Sequence, residues 1–411
     1  MTDPKSNITR YQRDGLGNLN QTTSPDTGVT NATYDAAGNL KTKVDAKGQV
    51  ATYTYDALNR LTGISYTGGS AQAFNVTYQY DQGTNGIGHL YGILDNTSVT
   101  QYSYNRQGRL LTEARQGMAP ANNGLIYTTG YNYDTLGRLT STVYPSGRVV
   151  SYTYDLMGRT NSISTNFNGS TNVIASSIIY RPFGGVKSYT YGDGQVAQVP
   201  PGQLTPTAQS YTRQYDQDGR IGSYTLNGQP LVIGYDAASQ IININNPNNP
   251  INPATYDYDP MSRLNSYTQG SANQSYTYDT VGNRVSQLIG STSTNFGIDP
   301  MSNKLMSVQS GAGVPQIVTQ DAIGATTTDA AHQYTYDIRG RLVQANMGQG
   351  QINYEVNALG LRIRKQVPYA NSDTQYHYDT QGHLINENTT GTSQFSREYI
   401  WLGDTPVAVM Q

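Results

Sequence analysis

The residues able to do chemistry in this chain are few and scattered. There are four histidines, His89, His332, His377 and His383, and no cysteine. Without cysteine there are no disulfides, thiolate metal sites or cysteine nucleophiles. No two histidines stand at a zinc spacing such as His-Glu-x-x-His. His377 sits between Tyr376 and Tyr378, so on a strand it points away from both rings. His383 follows a glycine at a place where other parts of the chain carry Arg or Asn. Asp216-Gln217-Asp218-Gly219 resembles the start of a calcium loop but lacks the third acid and the distal Glu. Gly15-Leu16-Gly17 and Gly192-Asp193-Gly194 are fragments of a phosphate loop without its strand–helix setting. Trp401, the single Trp, alternates with Tyr399, which suits packing on a sheet face better than presentation to a ligand. We expect no catalytic residue, no metal and no cofactor.

The acids, glycines and arginines instead belong to one recurring phrase. Its cleanest copy is Tyr133-Asp134-Thr135-Leu136-Gly137-Arg138-Leu139. Tyr131 and Tyr133 share one face of a strand, because side chains alternate. Asp134 supplies the short acceptor a type I turn favours, and Gly137 enters the left-handed region at no steric cost. Leu139 opens the next strand, so the phrase predicts a hairpin with a glycine bulge. The structural turn residues expected from the clearest copies are Tyr34, Asp35 and Gly38; Tyr133, Asp134 and Gly137; Tyr154, Asp155 and Gly158; Tyr215, Asp216 and Gly219; Tyr278, Asp279 and Gly282; Tyr336, Asp337 and Gly340; and Tyr378, Asp379 and Gly382. Other copies begin at Tyr55, Tyr104, Tyr235 and Tyr258. Asn59, Ser239, Ser262 and Ser302 stand in the glycine slot of their turns, where Asn tolerates positive φ and Ser implies strain or another turn type. An Arg follows the turn glycine at Arg109, Arg138, Arg159, Arg220 and Arg341. That row could bind an acidic cargo or a glycan, or each Arg could be a solvated neighbour of a turn Asp. The net charge of −2 favours the second reading.

Several copies lie about twenty residues apart, which is two strands and two turns. The fold expected is all-β: hairpins joined in sequence into one long sheet. Tyr-x-Tyr strands such as Tyr53/Tyr55 and Tyr276/Tyr278 precede many turns and suggest cross-strand tyrosine ladders. Composition agrees: 35 Tyr against 5 Phe, and 13% charged residues, about half the usual quarter. So many hydroxyl-bearing rings imply a thin, half-wet core. The balance of charge excludes the basic stripe that nucleic acid or an anionic membrane would need. No apolar run is long enough to span a bilayer, and Met1-Thr2-Asp3-Pro4-Lys5 lacks the apolar core of a signal peptide.

The Tyr-Asp-x-x-Gly-(Arg/Asn)-Leu phrase at this spacing resembles the RHS/YD-repeat family, which includes bacterial Rhs polymorphic toxins, the C component of ABC insecticidal toxin complexes and the extracellular YD shell of teneurins. The segment Tyr399-Ile400-Trp401-Leu402-Gly403-Asp404-Thr405-Pro406-Val407-Ala408 resembles the stretch that closes the repeat core in bacterial members. The resemblance implies a sheet that spirals into a hollow shell, a single repeat array over residues 1–411 with its end-of-core segment at 399–408. Loops are expected near 193–210, 245–254 and 307–333, which are rich in Pro, Gln, Asn, Gly or Ala. It also implies a secreted or cell-surface protein, a toxin or effector partner in cis beyond Gln411, and no enzymatic role for the shell itself. Family members cleave themselves at a short Asp-Pro-containing motif downstream of the core. Asp259-Pro260 and Asp299-Pro300 share that dipeptide, but both fall in turn slots, where Asp followed by Pro is ordinary. The competing expectation is an adhesion or carbohydrate-binding module, with exposed tyrosines stacking on sugars. Open sheet edges would in either case invite self-association.

Overall fold

The structure is a computed structural model that describes all residues except 70, 119–124, 183, 193–209, 227, 249–251 and 393–394. Among the described residues it is one open sheet of 36 strands, and each strand pairs antiparallel with its neighbour in sequence. Among the described residues the only helix is a single turn of 3-10 helix at Pro368–Ala370. Strands β1 (Arg10–Arg13) and β36 (Thr405–Met410) end the strip. Its two long edges differ. One carries the Tyr-Asp phrase turns, such as 134–138, and the other carries the return turns between phrases, such as 144–148.

The strip winds on itself. Hydrogen bonds join residues 250 to 300 positions apart: Arg148 to Glu398, Tyr144 to Tyr399, Lys47 to Asp321, and Asn303 to Asp3. In Lys47–Asp321 and Asn303–Asp3 a phrase turn of the later strands meets a turn on the return edge of the earlier ones, and in the other two the 144–148 return turn meets β35 (Phe395–Leu402). We call the later and earlier stretches the second and first windings. The larger buried cluster spans both, joining Val150, Ile163 and Ala175 to Ile385, Ile400 and Leu402. A smaller one seats Ile338 against Phe74, Val76 and Ile93.

Two sequence expectations change. Residues 307–333 are not a loop: β26 (Leu305–Ser310), β27 (Gln316–Gln320), β28 (Thr326–Asp329) and β29 (His332–Tyr336) run through them. The small residues there occupy turns, with Gly311, Gly324 and Ala330 at positive φ, while the Thr and Gln runs between them keep the strand period. The 245–254 stretch joins β20 (Ile241–Asn245) to β21 (Ala254–Tyr258), with 249–251 outside the described residues. Of the 193–210 stretch, all but Ser210, the first residue of β17 (Ser210–Tyr215), lies outside them. Tyrosine ladders are also rarer than the Tyr-x-Tyr pattern suggests. Tyr256 faces Tyr267 with ring centres 5.5 Å apart, but Tyr53, Tyr78 and Tyr152 face Ile64, Ile93 and Ile163. The opposite face carries paired hydroxyls instead, such as Thr33 with Thr42 and Thr153 with Ser162.

Candidate functional site

Most phrase turns close in the same way. Asp134 N–H donates to the Arg138 carbonyl at 3.0 Å, and Gly137 N–H donates to the Asp134 carbonyl at 3.0 Å. Asp134 Oδ1 accepts from Arg138 N–H at 2.9 Å, and Oδ2 accepts from Arg138 Nε at 2.7 Å. Gly137 has φ 87° and the pairing slips one residue beside Tyr133, which makes a type I turn followed by a glycine bulge. The alternation of Arg and Asn after the glycine now has a cause. Asn39 Nδ2 reaches Asp35 Oδ2 at 3.1 Å, and His383 Nδ1 lies 2.9 Å from Asp379 Oδ2. All three side chains put a nitrogen at the same carboxylate oxygen. Asn59, Ser239 and Ser262 take positive φ in the glycine slot. Ser302 avoids it, because its turn is one residue longer and closes Asp299 N–H on the Lys304 carbonyl.

The phrase tyrosine fastens one repeat to the one before. Tyr34, Tyr55, Tyr154 and Tyr278 each donate their hydroxyl to the carbonyl of the leucine that ended the previous phrase: Leu19, Leu40, Leu139 and Leu264, at 2.6–2.9 Å. Where the tyrosine is missing, another donor fills the slot. Gln320 Nε2 donates to the Leu305 carbonyl at 2.7 Å, and Trp401 Nε1 to the Leu384 carbonyl at 2.9 Å. This rung escaped sequence reasoning, although the constancy of a hydrogen-bond donor at that position was its signal. The arginines are not simply solvated. Arg138 lies 4.8 Å from the Tyr154 ring and Arg263 4.7 Å from the Tyr278 ring, so each covers the tyrosine of the next phrase. His383 stacks on Trp401 at 4.5 Å and His89 on Tyr104 at 4.4 Å in the same manner.

The seam between windings is where charge is buried. Arg148 pairs with Glu398, and both are almost inaccessible. Asp95 Oδ2 accepts from Ala358 N–H at 2.6 Å, Asp26 Oδ1 from Asn303 N–H at 2.7 Å, and Lys5 pairs with Asp279 at 2.8 Å. The Arg339 guanidinium lies 3.5 Å over Phe74. Arg115 bonds the Tyr376 carbonyl and His377 Nδ1 at 2.7 and 2.8 Å, and Tyr127 packs on the His377 ring. Burial, with Arg115 second, holds His377 well below the usual histidine range and therefore neutral. Burial pushes the neighbouring Glu113 up to about 7. Local spacing carries no sign of these contacts, because the partners lie 250 or more residues apart.

The residues singled out in sequence thus separate. The phrase turns line the strip's edge, His383 and Trp401 stack near its end, and His377 enters the seam. His332 bonds Asp329 at 2.6 Å, apart from the other histidines. Asp216 is bound within its own turn by Arg220, and Asp259 by Arg263. Among the described residues no three acids or histidines gather as a metal site. No helix among them is long and apolar enough to cross a membrane.

Comparison with known proteins matches this geometry. A family model described as RHS Repeat matches residues 34–71 and 133–171, and one described as Teneurin YD-shell matches residues 230–399. The chain is built of RHS/YD repeats. The sheet of this YD-repeat chain also superposes on solved structures. It covers 96% of its length on a crystal structure of TcdB2-TccC3 without the hypervariable C-terminal region, with TM-score 0.78 and 19% identity. On TcdB2-TccC3-TEV the TM-score is 0.75 at 18% identity, and on the Photorhabdus luminescens Tc holotoxin pore it is 0.64 at 16%, again over 96% of this chain. The YD-repeat chain spans 22% of the length of each of those chains. Comparison with curated protein sequences found no match.

Proposed function

We propose that this YD-repeat chain is a segment of shell wall, a non-enzymatic scaffold that encloses or presents a toxin or effector domain. The observation that carries the reading is the seam. A flat strip would have no need to bury Arg148 with Glu398 or Ile338 under Phe74. Those contacts convert a ribbon of hairpins into a wound wall, which is the geometry an enclosure requires. The likeness to TcdB2-TccC3 supports a wall of this shape, and a hypervariable region at the C-terminal side of those proteins supports a cargo at the same end. Secretion or surface display within a longer protein belongs to the same reading.

The carbohydrate-binding alternative relies on open tyrosine faces. The structure instead lays Arg138, Arg159, Arg220 and Arg263 across the rings of Tyr154, Tyr180, Tyr235 and Tyr278. A glycan array probed with this chain is expected to be blank. The enclosure reading is tested by the coding sequence downstream of Gln411. It is expected to continue into a cleavage motif and a variable domain, and a stop codon followed by an unrelated gene would overturn it.

A further inference from the structure

We infer that the seam between the windings binds one internal water, held by the imidazole of His377 and shared with the first winding. The hydrogen bonds around the ring fix its tautomer. A guanidinium has donors and no lone pair to offer, so Arg115 Nη2, 2.8 Å from His377 Nδ1, donates to it. Neutral imidazole carries one proton, and with Nδ1 accepting, that proton sits on Nε2. His377 is 3% exposed, and its Nε2 has no hydrogen-bond partner among the described residues. An N–H so placed forfeits its hydration unless an acceptor reaches it, and buried polar groups almost always have one.

The acceptor has a place to sit. A cavity of about 20 Å³ lies where the windings meet, lined by Glu113, Arg115 and Thr129 of the first and by Asn357 and His377 of the second. A water needs roughly 10–15 Å³ of such space and two to four polar partners, so the cavity takes one. Polar groups stand on both sides of it, whereas cavities that stay dry are apolar.

The water accepts from Nε2–H and gives its own protons to the Glu113 carboxyl and the Thr129 hydroxyl. Those two residues are register partners on β10 (Leu110–Gly117) and β11 (Ile126–Tyr133). The bridge therefore ties β33 (Ser372–Tyr378) to both strands, beside the direct bonds from Arg115 to Tyr376 and His377. An anion would also accept from Nε2–H, but Glu113 on the same wall repels one whenever it is ionised. The site goes beyond the shell reading and does not depend on it, since it needs only the two windings to meet.

A high-resolution crystal structure of the chain tests this. The expected result is a density peak about 2.7–3.2 Å from Nε2 and within the same reach of Glu113 or Thr129. Well-ordered side chains with no peak there overturn the inference, and so does an Nε2 bonded directly to a protein acceptor. Bromide in the crystallisation medium separates water from an anion, because anomalous signal at the site would identify a halide and overturn the inference too. In solution, nitrogen-15 spectra of histidine-labelled protein at neutral pH should show His377 protonated at Nε2 alone, with a cross-peak from that proton to water. The signal is assigned by its loss in His377→Gln. A proton on Nδ1 instead would mean that the ring is turned over, and the inference would be wrong.

Discussion

The phrase turns of the first winding and those of the second have the same backbone and opposite surroundings. The 155–159 and 337–341 turns close with the same pair of backbone hydrogen bonds, and Gly158 and Gly340 both take positive φ. Yet Leu156, the first residue after its turn Asp, stands in solvent while Ile338 in the same slot is buried. The difference teaches that the phrase specifies a hairpin and nothing about its neighbours. Burial is decided by the winding, which places one edge over another after some 260 residues. The repeat supplies the local geometry, and the seam converts it into a three-dimensional body.

This contrast can be broken most severely at the seam's buried charge. Glu398→Ala leaves Arg148 buried without its partner and should cost about 3–5 kcal/mol in denaturant unfolding. Replacing both, Arg148→Met with Glu398→Leu, should recover most of that loss. A cost below 1 kcal/mol for the single variant would mean the seam is open in solution. Next in size is the tip comparison. Ile338→Ala should cost about 2–4 kcal/mol through lost burial and a cavity, whereas Leu156→Ala should stay within about 0.5 kcal/mol. Equal costs would remove the distinction between windings.

The rungs should behave alike in both windings, because they are local. Tyr154→Phe and Tyr278→Phe each remove a hydroxyl bonded to the previous leucine carbonyl, at about 0.5–1.5 kcal/mol apiece. A large difference between them would show that the rung depends on the winding.

The smallest expected effect is a pH dependence. Neutral His377 resists a proton that the unfolded chain accepts, so its contribution to stability is lost as pH falls below about 6.5. Glu113 has the opposite sign. Its acid form is favoured in the fold, so stability is lost as pH rises from about 4.5 toward 7. The two oppose each other between about 4.5 and 6.5, so the wild type should be flatter there than either group alone would make it. In His377→Gln the Glu113 slope should emerge, with stability falling as pH rises. A slope in the other direction would contradict the assignment.

Much of this was legible in the sequence, because the phrase is local. A Tyr, an Asp two bonds from its own turn, and a Gly at positive φ act within seven residues. So the hairpins, their order and the near absence of helix could be read directly. The strands within 307–333 were hidden because Gln320 takes the place of a tyrosine, and only the structure shows that its amide fills the same slot. The seam was not legible at all. Nothing near Arg148 announces Glu398, and His377 reads as an ordinary outward strand residue until Arg115 and Tyr127 arrive from 250 or more positions away.

The winding itself is the central claim, and a distance measurement tests it most directly. Spin labels at Leu94, in β8 (Leu90–Asp95), and at Leu359, just after β31 (Gln351–Val356), would flank the bond between Asp95 and Ala358. The account predicts a single short distance in pulsed electron resonance. An unwound strip would separate them by 23 strand steps, roughly 110 Å at about 4.8 Å per step. A distance beyond the range of the method would show that the chain is a ribbon rather than a wall.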